Sequence, residues 1–249
     1  MIGDGLRRLG LELPAGIHDA LDVQARLLLA WNSAINLSAL RSPEQIARGH
    51  VLDSLAAVAI ARRLGGTRLL DLGSGAGYPG LPLALALPAT ECALVDSVAK
   101  KARFLTAASN AATAALTAAG EPPPMFDTLA ERAESLARRP GQRAHWQLVS
   151  ARAVGSLAEV GELGLPLLAR GGHLLVWKRD TGDGRLAHEI DAARAMLRAA
   201  GGGLPRLERL PIVEELGLTG HLLVVVEKRG PTPDRFPRPP AERRRSVLR

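Results

Sequence analysis

The sequence has few of the features that place a protein in a membrane or outside the cell. It contains one cysteine, Cys92, so no internal disulfide can form, and a reducing cytoplasm is the expected compartment. Apolar runs fall short of the ~18 residues of a membrane span, and no apolar segment follows Arg7 and Arg8 as in a secretory signal. The seven aromatic residues are too few for extensive base stacking.

Positive charge is concentrated at the C-terminus. The formal net charge is +7, and the segment Lys228–Arg249 alone, with eight basic and two acidic residues, carries +6 of it. Such a segment attracts polyanions, and a merely solubilising terminus is an equally weighted alternative. We predict that residues 230–249 form a basic Pro/Arg-rich tail, extended or disordered from residue 231. Deleting residues 231–249 is expected to weaken RNA association and flatten its salt dependence but to spare cofactor affinity.

The first 66 residues have the apolar spacing of helices. Apolar residues recur at helical intervals over Ile17–Leu28, in a helix expected to end near Trp31. Ser42 and the following proline begin a second helix, which we expect to run to Arg63. This segment is predicted to pack on the core formed by residues 67–229.

Beyond residue 67, short apolar strands alternate with helical stretches. Predicted strands lie at 68–72, 91–96, 125–129, 147–150, 173–178, 207–213 and 222–227. Strands separated by helices imply right-handed crossovers and a parallel sheet. The predicted fold is therefore α/β, with a doubly wound, mostly parallel, seven-stranded Rossmann-like sheet preceded by the helical segment.

A glycine-rich loop, Asp71-Leu-Gly-Ser-Gly-Ala-Gly-Tyr-Pro-Gly80, follows the first strand. Its glycines let the backbone approach a ligand that a Cβ would repel, and strand–loop–helix is the context such a motif needs. Dinucleotide-binding loops usually have an apolar residue in place of Asp71, because they bind a pyrophosphate. A carboxylate instead suits the sulfonium and amino group of S-adenosylmethionine.

A second acid, Asp96, stands at the end of the second strand, 23 residues after Gly73. A carboxylate there can bind ribose hydroxyls, which S-adenosylmethionine and dinucleotides share. Gly73, Asp96, Glu134 and Arg152 all follow predicted strand ends, and doubly wound sheets bind ligands at that edge. The alternative is that Asp71 and Asp96 only cap helices.

Further motifs follow one another in order over residues 20–228. They are Trp31–Ser38, Arg48–Ser54, Tyr78–Gly80, Leu94–Ser97, Lys100–Leu105, Ser150–Ala153 and Val176–Lys178. With the glycine loop, they resemble the bacterial 16S ribosomal RNA (guanine-N7) methyltransferases, the glucose-inhibited division protein B family, although members often end soon after the last strand. The resemblance implies a cytoplasmic enzyme acting on one guanine of a small-subunit particle. The residues expected to bind S-adenosylmethionine are Asp71, Gly73, Gly75, Tyr78, Asp96, Ser97, Ala133, Glu134 and Arg152.

A polar group on the second predicted helix is the candidate for positioning the target base. His50, Asp53 and Ser54 share one helix face. A buried polar network that fixes two helices is an open alternative, and a hydrolase triad is disfavoured because Ser54 lacks a nucleophile elbow. Arg152 could bond guanine O6 or stack on the purine, or instead pair with Glu134. No catalytic residue is assigned, and the positioning candidates are Asn36, His50, Asp53, Ser54, Arg152 and Lys178.

The groups that are missing agree with methylation at guanine N7. Methylation of pyrimidine C5 needs a cysteine nucleophile, whereas Cys92 lies inside a predicted strand, and Ser150–Ala153 replaces the Asn/Asp-Pro-Pro-aromatic motif of amine methyltransferases. N7 has a lone pair and no proton, so it can attack the methyl group without a general base. Holding the two reactants in the right orientation can then lower the activation barrier by ~7–11 kcal/mol. We predict a monomeric enzyme acting on ribosomal RNA or the subunit, without a metal. Alternatives are a small-molecule or protein methyltransferase, a dinucleotide-dependent oxidoreductase and a non-enzymatic ribosome-binding protein.

Overall fold

The core of the protein is a seven-stranded sheet. The computed structural model describes the backbone of residues 2–87 and 91–246 and the side chains of these residues up to 243. The strands are β1 (Arg68–Leu72), β2 (Glu91–Val95), β3 (Met125–Leu129), β4 (Trp146–Arg152), β5 (Leu168–Arg179), β6 (Arg206–Arg209) and β7 (His221–Glu227). Their order is β3-β2-β1-β4-β5-β7-β6, in which β1 to β5 are parallel and the β5–β7 and β7–β6 pairs are antiparallel. This confirms the predicted α/β sheet and puts the reversal of strand order between β1 and β4, where doubly wound folds bind ligands.

Helices cover both faces of the sheet. They are α1 (Ile2–Arg8), α2 (Ala15–Ile35), α3 (Pro43–Ile46), α4 (Asp53–Leu55), α5 (Val58–Leu64), α6 (Gly80–Ala86), α7 (Ala99–Ala118), α8 (Ala133–Leu136), α9 (Leu157–Gly164), α10 (Arg185–Ala199) and α11 (Pro240–Ser246). Side chains alternate between the faces along each strand. On β1, Leu69 packs in the cluster that contains α2, α6 and α7, and Leu70 packs in the cluster that contains α9 and α10. None of the described helices is long and apolar enough to cross a bilayer.

The N-terminal helices differ from the sequence prediction at two places. Helix α2 continues past Trp31 to Ile35, because Asn36 ends it in the left-handed conformation at φ 46°. The helix expected from Ser42 to Arg63 begins with the predicted capping box but breaks into α3, a π-helical segment at Ala47–Leu52, α4 and α5. A π-helical turn shifts the register of the side chains, and here it contains His50.

Residues 231–239 contain no helix or strand, as expected of an extended segment, but they pack on the core and are not disordered, and a helix follows them. Phe236 is buried, and α11 follows it. The Arg143 guanidinium donates to the carbonyls of Thr232 and Phe236 at 2.8 and 3.0 Å. Arg238 forms an ion pair with the buried Glu162. Composition alone does not reveal this packing, because the partners lie about 75 to 95 residues earlier in the chain.

Candidate cofactor and substrate site

The glycine loop is held open by backbone conformation. Gly73, Gly75 and Gly77 have φ values of 65°, 56° and 82°, which other residues adopt at a cost. A Cβ at Gly73 would lie 2.8 Å from Val154 Cγ2. The Asp96 carboxylate accepts from the Gly75 N–H at 3.1 Å and from the Val98 N–H at 2.9 Å. The second predicted acid therefore joins the end of β2 to the loop after β1.

A cavity of about 250 Å³ opens beside this loop at the carboxyl edge of the sheet. Among the predicted cofactor residues, it is lined by Gly73, Ser97, Ala133 and Glu134. Its other lining residues are Leu72, Val95, Glu131, Arg132, Val154, Leu163 and Arg243. The structure thus brings the ends of β1, β2 and β3 together around one cavity, as the sequence predicted.

Asp71 is enclosed under the loop. It is fully buried, and its Oδ1 accepts from the Ser150 hydroxyl at 2.7 Å. A Cβ at Gly80 would come within 2.5 Å of the Asp71 side chain, so only glycine fits over it. Burial raises the pKa of Asp71 to about 6 against the opposing hydrogen bond from Ser150. A direct contact with a sulfonium would require the loop to move.

Tyr78 and Arg152, the other two predicted cofactor residues, meet against the N-terminal helices. The Tyr78 ring stacks on His50 with centroids 4.6 Å apart, and the Arg152 guanidinium lies 5.8 Å from its centroid. The Tyr78 hydroxyl is buried without a hydrogen-bond partner among residues 2–87 and 91–246. Burial raises the pKa of Tyr78, so this hydroxyl stays neutral at physiological pH.

Arg152 fixes the protonation state of His50. One guanidinium nitrogen donates to Asp53 Oδ2 at 2.8 Å and to the Gly49 carbonyl at 3.1 Å, and the other lies 2.8 Å from His50 Nδ1. Because a guanidinium only donates, Nδ1 must accept, so His50 Nε2 carries the proton and donates to Ser38 Oγ at 2.6 Å. Burial, followed by the charge of Arg152, lowers the pKa of His50 to about 3.

His221 completes this polar network from the start of β7. Its Nδ1 lies 2.9 Å from Asp53 Oδ1, so both oxygens of the fully buried Asp53 are paired. The network joins residues 50 and 53 of the N-terminal segment to residues 152 and 221 on strands β4 and β7, so it is a polar network as the alternative had it but ties helices to the sheet and not two helices to each other. That the network also positions the target guanine stays a prediction.

Two other interpretations of these residues are wrong. Ser54 Oγ donates to the His50 carbonyl at 2.6 Å, not to an imidazole, so the hydrolase triad does not form. Arg152 pairs with Asp53, whereas Glu134 pairs with Arg243, so the proposed Arg152–Glu134 salt bridge does not form.

The remaining positioning candidates lie apart from the network. Asn36 is exposed and accepts from Arg41 at 3.2 Å. Lys178 donates to Glu189 at 2.6 Å and to the Gly155 carbonyl at 3.0 Å, on the face of the sheet that α10 covers. These two side chains therefore serve local structure in this conformation.

Three residues of the site were missed in the sequence: Gln24, His221 and Arg243. Gln24 is fully buried in α2 and donates to the Ala76 carbonyl of the glycine loop at 3.1 Å. It lies four residues from both Ala20 and Leu28 on a buried helix face, and a polar residue on such a face was the available signal. His221 and Arg243 gave no local signal, because their partners are distant in the chain.

Comparison with known proteins identifies the family. Residues 17–197 match the family model GidB, described as rRNA small subunit methyltransferase G. The chain belongs to this family. It is 33% identical to the ribosomal RNA small subunit methyltransferase G of Symbiobacterium thermophilum over 96% of this chain and 93% of that protein. It is 37% identical to that of Chloroflexus aggregans over 91% and 89%.

Solved structures agree with the fold of this methyltransferase G family member. The O-methyltransferase TomG from Streptomyces achromogenes, in complex with SAM, matches with a TM-score of 0.52 at 16% identity. The match covers 88% of this chain and 92% of that one. At this identity the similarity concerns the fold alone. The resemblance that the sequence motifs indicated is confirmed by the family match.

Proposed function

We propose that this protein transfers the methyl group of S-adenosylmethionine to N7 of a guanine in small-subunit (16S) ribosomal RNA. Family membership supports the reaction class and the RNA substrate. The observation that favours N7 is the state of the polar network. His50 Nδ1 and both Asp53 oxygens are already paired with Arg152 or His221, so neither side chain is a free base. N7 needs none, since it has no proton to lose.

The lining of the cavity beside the glycine loop supports its assignment to S-adenosylmethionine. Gly73 lines the cavity with bare backbone. Gly75 lies two residues further along the loop, and a Cβ there would meet nothing closer than 3.8 Å, so the space in front of it is open to a ligand. Asp96 and Glu134 offer carboxylates to hydrogen-bond donors.

The chain's own residues would bind the cofactor and orient the target guanine beside it. When bound, S-adenosylmethionine supplies an electrophilic methyl group on a sulfonium. Gly73 and Gly75 would let the cofactor approach the backbone, and Asp96 would hold its ribose. On the network side, Arg152, kept in place by Asp53, would present its guanidinium edge or face to the guanine. Rate acceleration then comes from holding the two reactants in attack geometry.

The experiment is transfer of labelled methyl from S-adenosylmethionine to small ribosomal subunits and to naked 16S RNA, followed by nucleoside analysis. We expect 7-methylguanosine, and no label with an Asp96→Ala variant that still folds. Label on a base amine or on a pyrimidine carbon would refute the proposal. A protein that binds S-adenosylmethionine but labels no RNA would favour a small-molecule or protein substrate, or a non-enzymatic role. Preference for NAD in a competing titration would favour an oxidoreductase.

We further propose that the enzyme works in the cytoplasm as a monomer. The single cysteine, Cys92, is buried, and burial raises its pKa well above the usual value, so it is poorly suited to a disulfide with a partner. Light scattering should give a mass near 26.3 kDa. A mass of twice that value would contradict the monomer.

A further inference from the structure

The C-terminal segment reaches the proposed cofactor cavity. We call residues 231–243 the C-terminal strap. Its last residue, Arg243, lines the same cavity as Gly73, Ser97 and Glu134. The strap follows the last strand of the sheet and was expected from its composition to be extended or disordered.

The strap is held to the core by several buried or half-buried contacts. Arg238 donates to both oxygens of Glu162, at 2.9 and 2.7 Å, and its backbone N–H donates to the same carboxylate at 2.8 Å. Arg138 donates to the Pro237 carbonyl at 2.8 Å, and Phe236 is 4% exposed in the cluster beneath α9 and α10. These contacts, with those of Arg143, fix the position of α11.

Arg243 forms an ion pair with Glu134 at the wall of the cavity. Nη2 of Arg243 contacts Oε1 of Glu134, and each side chain is 13% exposed. Charged hydrogen bonds with so little solvent are strong, and removing one partner leaves the other charge uncompensated. The pair therefore fixes the orientation of a carboxylate that faces the ligand space.

We propose that Arg243 is a positioning residue for S-adenosylmethionine. It holds the Glu134 carboxylate where a hydrogen-bond donor of the cofactor meets it, so the strap is part of the cofactor site. This inference rests on the proposed placement of the cofactor in this cavity. It also reverses the expectation that removing the tail spares cofactor affinity.

The test is calorimetric titration of the full chain with S-adenosylmethionine. Arg243→Ala is expected to weaken binding about 10-fold, which corresponds to about 1.4 kcal/mol, because Glu134 loses its fixed orientation. Arg243→Lys should recover part of the loss. The matched control is Arg194→Ala, which removes an exposed arginine paired with Asp191 on α10 and should leave affinity unchanged. In turnover assays, the KM for S-adenosylmethionine should rise with little change in the KM for ribosomal subunits.

A double-mutant cycle with Glu134→Gln separates this inference from the proposed site. If Arg243 acts through Glu134, the double variant should bind no more weakly than Glu134→Gln alone. Additive losses would overturn the inference, as would unchanged or tighter binding by Arg243→Ala when Glu134→Gln binds weakly. If Glu134→Gln itself binds normally, the Glu134 carboxylate does not hold the cofactor and this inference fails, whereas the proposed function is decided separately by the nucleoside analysis and the Asp96→Ala variant. Thermal melts of each variant establish that the comparison is between folded proteins.

Discussion

Protonation of His50 should destabilise the fold under mildly acidic conditions. Its Nδ1 accepts from Arg152 and its Nε2 donates to Ser38, so an added proton would break a hydrogen bond and face a guanidinium. Burial and Arg152 lower its pKa from 6.5 to about 3 in the folded state. As the pH falls below 6.5, the unfolded chain therefore binds a proton that the folded chain does not. Stability is lost through this window, from the unfolded pKa down to the folded one.

The magnitude follows from the distance to the unfolded pKa. At about pH 5 the imidazole is about 1.5 units below its ordinary pKa, and each unit is worth about 1.36 kcal/mol, so the loss is about 2 kcal/mol relative to about pH 7.5. Asp71 has the opposite effect. Its folded pKa of about 6 exceeds its ordinary 3.8, so its penalty for ionisation is relieved as the pH falls through 6. Asp71 therefore adds about 1.4 kcal/mol to the free energy of unfolding at about pH 5 relative to about pH 7.5.

The two effects are separated by comparing the wild type with His50→Asn. Asparagine places Oδ1 near the position of Nδ1, where it can accept from Arg152, but it does not titrate. Urea unfolding at both pH values, followed by tryptophan fluorescence, should show that the wild type loses about 2 kcal/mol more than the variant. Asp71 contributes equally to both proteins and cancels. Equal losses would show that His50 is not held neutral, and the assigned tautomer would then be wrong.

Three further outcomes follow from the site. Gly75→Ala should weaken S-adenosylmethionine binding at least about 10-fold. Its control is Gly120→Ala, which is also at positive φ with open space around its Cβ: both variants should lose ~1–2 kcal/mol of stability, but Gly120→Ala should keep its affinity. Equal affinities of the two variants in titration would remove Gly75 from the cofactor site. Asp53→Asn leaves Arg152, whose side chain is 15% exposed, without its carboxylate and should cost about 3 kcal/mol in urea unfolding. A cost below about 1 kcal/mol would mean that the pair is well solvated. Replacing the three arginines after residue 243 with glutamine leaves the strap contacts intact and should reduce the salt dependence of RNA binding by up to about 2 in logarithmic slope. A slope equal to that of the wild type would show that these charges do not contact phosphate.

The fold and the cofactor loop could be predicted because both depend on local patterns. Short apolar runs between helical stretches determine the strands, and even the edge strand Met125–Leu129 has the predicted bounds. The positive φ values of Gly73 and Gly75 follow from a short motif between a strand and a helix. Local periodicity does not predict the break near His50, because the π-helical turn is stabilised by packing and by the polar network.

The contacts that could not be predicted join distant parts of the chain. The pair formed by Asp53 and His221 spans 168 residues, and that formed by Glu134 and Arg243 spans 109. A buried acid and a surface acid have the same identity in a sequence, so only tertiary burial distinguishes them. The proline and arginine content of the strap is typical of disorder. It is overridden here because Glu162, which is 2% exposed, requires a cationic partner.

The end of β4 is where the two halves of the site meet. Arg152 points into the polar network, and two residues later Val154 packs against Gly73 at the proposed cofactor cavity. Between them Ala153 has a left-handed φ of 57°, which turns the chain at this point. A guanine held by Arg152 and a cofactor seated at Gly73 would therefore be positioned by the same short segment. Because orientation is the main contribution to a reaction that needs no base, rigidity of residues 152–154 should matter more to the rate than any single titratable group.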